Sequence, residues 1–207
     1  MNIFHPFDDN KDFDLDEATA LKRKKKNRFI KSIIRYVLIL IIWHLAATLL
    51  YGICFSSLME QYLRANMLKT VDVILAIYSA ITIFLLSFFS SADLKDAHET
   101  RRAFIEQLKG RKISFGSCMK FSLWQIVLYT AIYFVFQLPF CLFHHAYGFD
   151  HIYVTIYEQY HIMDVGFMQL TGVGILGTLI NCIIFFFSLM MFHYFTYISW
   201  YKNRITK

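Results

Sequence analysis

The sequence predicts an all-α integral membrane protein, a bundle of four transmembrane helices with a cytoplasmic amphipathic helix between the second and third spans. Three observations predict it. Hydrophobic residues make up 57% of the chain and charged residues 17%, against roughly 45–50% and about 25% in an average soluble domain. The apolar residues gather in four blocks, each near the roughly 20 residues that a helix needs to cross a hydrocarbon core. Nineteen of the 21 Lys and Arg residues fall in the three segments that an even number of spans leaves on one side. Helices are expected rather than barrel strands, because the period-2 alternation of a barrel is missing and a lone span must satisfy its own backbone.

Residues 1–28 read as a cytoplasmic tail with an acidic and then a basic half. The acidic run DDNKDFDLDE, residues 8–17, invites a calcium-loop reading that its registers reject. Counted from Asp8, Phe13 takes the place of the turn glycine and Thr19 that of the twelfth ligand; counted from Asp12, Glu17 and Arg23 do. A helix is expected to start near Asp14 or Asp16 and to feed into the first span. The basic run KRKKKNR opens with Lys22 and closes with Arg28. Such a run fixes orientation and attracts anionic headgroups, at about 1 kcal/mol per basic residue near the surface. The apolar stretch that follows is too long for a signal peptide and lacks an A-x-A-like site, so a retained helix is expected.

The membrane domain, 29–201, is expected to place its spans at about 33–55, 71–90, 121–143 and 171–199. The fourth, near 43 Å at about 1.5 Å per residue, exceeds the core thickness and must tilt or project. Tyr194, Tyr197, Trp200 and Tyr201 form an aromatic belt at its end, before the short tail 202–207. Between spans two and three, residues 92–109 carry apolar positions at Leu94, Ala97, Phe104, Ile105 and Leu108, with acids early, bases late and Gly110 as a stop. That is the amphipathic helix, either a docking element or a helix lying on the headgroups. Only Arg64 and Lys69 lie in the first loop and no base lies between His144 and Leu170. Both termini and the middle loop are therefore expected in the cytoplasm, with the plasma membrane as the membrane concerned. The net charge of +6 then reflects topology and not nucleic-acid binding.

Inside the four blocks only Arg35 and Asp72 are charged, both near an end, which argues against a proton-coupled antiporter or voltage sensor. The remaining polar residues include His44, Gln125, Gln137, Asn181 and His193. Counting from the block ends puts His44 and Asn181 near the midplane and Gln137 about 8 Å further out, so three helices can meet in a polar layer. Interhelical packing explains such a layer at about 0.6 kcal/mol per hydrogen bond. Small residues support packing: Gly174, Thr178, Asn181 and Ser188 share one face, as do Thr48, Gly52 and Ser56, and Ala76 with Ala80. His44 and His193 differ by about 12 Å in depth, too far to share a haem iron. GVGILG, residues 172–177, lacks the preceding strand of a dinucleotide fingerprint and reads as packing glycine.

The second outer loop holds His144, His145, His151 and His161 with Asp150, Glu158 and Asp164. His144, His145, Asp150 and His151 are suitable zinc ligands, although their spacing matches no zinc signature. The competing reading lays Tyr147, Ile152, Tyr153, Ile156, Tyr157, Tyr160 and Met163 on the headgroups. The four cysteines form no C-x-x-C pair, and Cys54 can pair with Cys141 only if the ends of spans one and three adjoin.

No cofactor is implied, zinc apart. No G-x-S-x-G, H-E-x-x-H or P-loop occurs, so no enzyme is expected. The leading expectation is a non-catalytic accessory, assembly or regulatory subunit of a membrane complex, with a membrane-protein partner or a second copy of itself. The runner-up is a small transporter or channel component using His44, Gln137 and Asn181. An outer-loop metal binder comes third.

Overall fold

A computed structural model of the chain describes residues 9–54, 57, 61, 65, 67–99, 115–147 and 162–205. Five helices account for nearly all of them: α1 Asp9–Cys54, α2 Leu68–Glu99, α3 Phe115–Tyr147, α4 Ile162–Thr171 and α5 Gly174–Ile205. Among the described residues there is no strand. Four helices are long and apolar enough to cross a membrane, within Phe29–Cys54, Lys69–Ala92, Ser122–Pro139 and Gly174–Thr196. The fifth, α4, has 10 residues and is half a span.

Side-chain pairs give the directions. Trp43 Nε1 donates to the Thr82 carbonyl and the Tyr78 hydroxyl to the Ala47 carbonyl, so α2 runs antiparallel to α1. Ser32 meets Tyr129 while His44 lies at the level of Gln137, so α3 runs parallel to α1. Ser122 meets His193 and Gln137 meets Asn181, so α5 runs back. The helices thus share one end where α1 finishes and α5 begins, the turn end, and an opposite end towards which α1 begins and α5 finishes. The core between them is aromatic and aliphatic, built on Tyr36, Leu40, Ile83, Leu86, Ile126, Tyr129, Tyr133, Phe185 and Leu189.

The expected start of the fourth span is corrected by α4. Thr171 ends a separate helix, Gly172 turns the chain with φ of 68°, and the span begins at Gly174. A left-handed φ costs an L-residue about 1–2 kcal/mol but glycine almost nothing, so the reversal falls there. The returning helix lies flat against α4. A Cβ on Gly177 would collide with the Met168 backbone, and one on Gly166 with the Leu75 carbonyl of α2. These two glycines let three backbones touch, which is how helices gain packing energy in lipid. Gly52, by contrast, has open space where its Cβ would be, so the expected small-residue face of the first span does not mark a close contact there.

Two further expectations change in extent. Helix α1 starts at Asp9, earlier than Asp14, and continues unbroken for 46 residues, about 69 Å. Helix α2 continues past its span as far as Glu99, so the first part of the expected amphipathic segment prolongs it; residues 100–114 lie outside the described residues.

Candidate functional site

Asp164 stands in the first turn of α4 and is fully buried. The expectation that Asp164 belongs to an outer loop is therefore overturned. The physical reason is the hairpin: α4 runs antiparallel to α5, so its first turn lies beside Asn181, about 10 Å along α5 from Gly174. An acid that follows a loop in the sequence thereby enters the bundle.

Three other helices meet it. His44 Nε2 of α1 lies 2.7 Å from Oδ2. From α3, the Tyr133 hydroxyl donates to Oδ1 at 2.7 Å and Gln137 Nε2 to the same oxygen at 2.9 Å. Asn181 Nδ2 of α5 donates to the Asp164 carbonyl at 2.8 Å and, more weakly at 3.4 Å, to Gln137 Oε1. All five residues are buried. Two residues on from Asp164, the Gly166 amide donates to Ser79 Oγ of α2 at 3.2 Å. A charge is tolerated in a low dielectric only when paired and hydrogen-bonded, which is what these groups provide.

The proton inventory follows from the partners. His44 Nδ1 lies 2.8 Å from the Leu40 carbonyl, an acceptor only, so Nδ1 carries hydrogen. One further proton then occupies the gap between Nε2 and Oδ2, whether as imidazolium with carboxylate or as imidazole with carboxylic acid. Either way the pair is neutral and holds one transferable proton. Asn181 is oriented by two acceptors, so a swapped amide would set oxygen against oxygen; its Oδ1 is buried without a hydrogen-bond partner.

The structure places His44, Gln137 and Asn181 around this acid. Gln137 lies level with Asn181 and not some 8 Å beyond it, a correction that follows from the later start of α5. Gln125 and His193 belong elsewhere: Gln125 donates to Ser32 Oγ and the Tyr129 hydroxyl, and His193 Nε2 lies 2.6 Å from Ser122 Oγ. The two histidines thus serve separate clusters. His144 and His145 fall in the last turn of α3, but their side chains, with Asp150 and His151, lie outside the described residues. Among the described residues no three His, Cys, Asp or Glu gather to hold a metal, and Cys54, Cys141 and Cys182 are free.

Sequence reasoning missed Asp164 and Tyr133. A signal for the first was present: the ten-residue run IMDVGFMQLT is half a span long and is followed by GVG before the next apolar block. For the second, Gln125, Tyr129, Tyr133 and Gln137 recur every four residues on one face of α3. No known family, curated protein or solved structure matches the chain.

Proposed function

We propose that this is a small, non-catalytic membrane transporter or channel component whose path passes through the Asp164 centre. The observation that supports it is a buried acid, paired with histidine, on a half-helix that starts inside a bundle of apolar spans. Ionisable residues at such depth are costly and are characteristic of ion and substrate pathways, and interrupted helices whose ends face the bundle interior recur in transporters. Buried on every side, the centre corresponds to an occluded state. The orientation proposed with it, both termini cytoplasmic in the plasma membrane, rests on the Lys and Arg distribution.

Thiol accessibility tests the reading. In a cysteine-free background, Thr178→Cys and Asn181→Cys should react with a hydrophilic methanethiosulfonate reagent, while the lipid-facing Ile183→Cys should not. Folded protein in which neither core position reacts would remove the path.

A second reading, an accessory or regulatory subunit, rests on α1. Its outward side exposes Leu45, Ile42 and Ile53, the last at 80%. Purification in mild detergent separates the two, because a subunit co-elutes with a partner at fixed stoichiometry and a self-sufficient transporter elutes as one species.

A further inference from the structure

We propose that the outward face of α1 binds one anionic phospholipid, whose phosphate is held by Lys31 and Arg35 and whose acyl chain lies along Leu38, Ile42 and Leu45.

Helical spacing builds this face. Steps of four, three, four and three residues keep Lys31, Arg35, Leu38, Ile42 and Leu45 on one side of α1, and each of them is exposed. The other side of the helix carries Ser32, Tyr36 and Leu40 into the core and His44 to Asp164. Of the four spans, that of α1 is the least enclosed by the described residues.

Depth follows from α2. Trp43 meets Thr82 and Ala47 meets Tyr78, and the same antiparallel register carried back along α1 sets Arg35 level with Ser90, just before Ala92, where the α2 span ends. Lys31 lies one turn further out, and the long stem of Arg35 lets its guanidinium reach towards the same level. The two bases therefore stand where hydrocarbon gives way to headgroups. From Arg35 to Leu45 the helix rises about 15 Å, half of a hydrocarbon core of about 30 Å. One acyl chain hanging from a phosphate at Arg35 thus covers the aliphatic row as far as Leu45.

Charge selects the occupant. No acid occurs in Phe29–Cys54, so nothing on their own span offsets the two bases. Residues four apart on a helix hold their Cβ atoms about 5–6 Å from each other. At that spacing a guanidinium can grip one phosphate through two N–H groups while the ammonium meets the same headgroup as a point charge. A phosphocholine brings a quaternary ammonium that both bases repel, whereas a headgroup without a cation keeps its net negative charge for them. The same charges disfavour a second copy. Two copies related by a twofold axis and meeting through this face would set Lys31 and Arg35 against their own counterparts, and like charges so placed repel. The site is distinct from the basic run KRKKKNR, which precedes the span, and does not depend on the transport reading.

The test uses the full chain in phosphatidylcholine vesicles that contain a trace of spin-labelled lipid, comparing the motionally restricted fraction for phosphatidylglycerol and phosphatidylcholine labels. Wild-type protein should prefer phosphatidylglycerol. Lys31→Gln and Arg35→Gln, both at exposed positions, should each lower the preference by about fivefold, about 1 kcal/mol per base. Lys202→Gln, which removes a base near the end of α5, should change it far less. A preference unchanged in the double variant of Lys31 and Arg35, or lowered equally by Lys202→Gln, would overturn the site. A second measurement needs no variant: phosphatidylglycerol with a photoactivatable diazirine at the tip of its acyl chain should label wild-type α1 around Leu45. Labelling spread evenly over the four spans would overturn the proposal. So would efficient disulfide dimerisation of Leu45→Cys in a cysteine-free background, which would give the face to a second copy.

Discussion

At the scale of single residues the largest energetic demand is keeping Asp164 away from water. Four side chains meet it: an imidazole, a phenol and an amide at its carboxylate, and a second amide at its backbone carbonyl. Removing the carboxylate orphans three of these buried groups, on His44, Tyr133 and Gln137, while Asn181 keeps the backbone carbonyl of residue 164. Breaking a buried pair from one side costs about 3–5 kcal/mol where it has been measured in proteins. Asp164→Ala is therefore expected to lower the thermal midpoint of the detergent-solubilised protein sharply, while Asp164→Asn, which keeps the shape and two acceptor lone pairs, should cost less. His44→Ala combined with Asp164→Ala should cost less than the two singles together, by about 1 kcal/mol or more, because the two side chains share one proton and one contact. Additive losses in that cycle would mean that the 2.7 Å approach carries no coupling. The partners of Asp164 were legible as polar exceptions in apolar blocks, as His44, Gln137 and Asn181 are. The acid itself was not, because a reading by blocks assigns a residue to the segment it adjoins in sequence, whereas the hairpin decides its depth.

At the scale of elements the hairpin of α4 and α5 is the feature on which the site depends. It needs three glycines for two different reasons. Gly172 supplies a left-handed residue at the reversal, whereas Gly166 and Gly177 supply missing side chains where α4 touches α2 and α5. The expected effects of alanine differ accordingly. Gly172→Ala should cost about 1–2 kcal/mol, the penalty of a left-handed L-residue. Gly166→Ala and Gly177→Ala should cost more, because backbone rather than a movable side-chain tip stands in the way, and overpacking a tight contact typically costs about 1–3 kcal/mol or above. Gly52→Ala is the control, with open space around it and a gain in helix propensity of up to about 1 kcal/mol. Monodispersity and thermal midpoint in detergent, compared across the four variants, should rank Gly52→Ala as most stable and the two contact glycines as least. A uniform response would mean that α4 is not packed between α2 and α5. Sequence reading found packing glycine in GVGILG, and Gly177 is such a residue; it missed that Gly172 in the same hexapeptide ends one helix and begins another, because a single φ leaves no mark on hydropathy.

At the scale of the whole molecule, four apolar blocks translate into four span-length helices because lipid offers the backbone no other partner. That part was legible from composition alone. The mutual arrangement was not, since it depends on which polar side chains find one another: Ser32 with Tyr129, Ser122 with His193, and three other helices with Asp164. These contacts put the start of α5 and the end of α1 at one end of the bundle, and Asn27 with the last turn of α5 at the other. Under the proposed orientation, Lys202 and Arg204 near the end of α5 and the bases of α1 ahead of its span face the cytoplasm, because bases flanking spans tend to be retained there. Positions exposed at the two ends then give opposite expectations. In intact cells and a cysteine-free background, Val173→Cys, beside the turn and 48% exposed, should be modified by a membrane-impermeant maleimide. Asn27→Cys, exposed on α1 ahead of the span, should react only after the membrane is permeabilised. Modification of Asn27→Cys alone in intact cells would invert the orientation, and with it the reading of the Lys and Arg asymmetry on which the orientation rests.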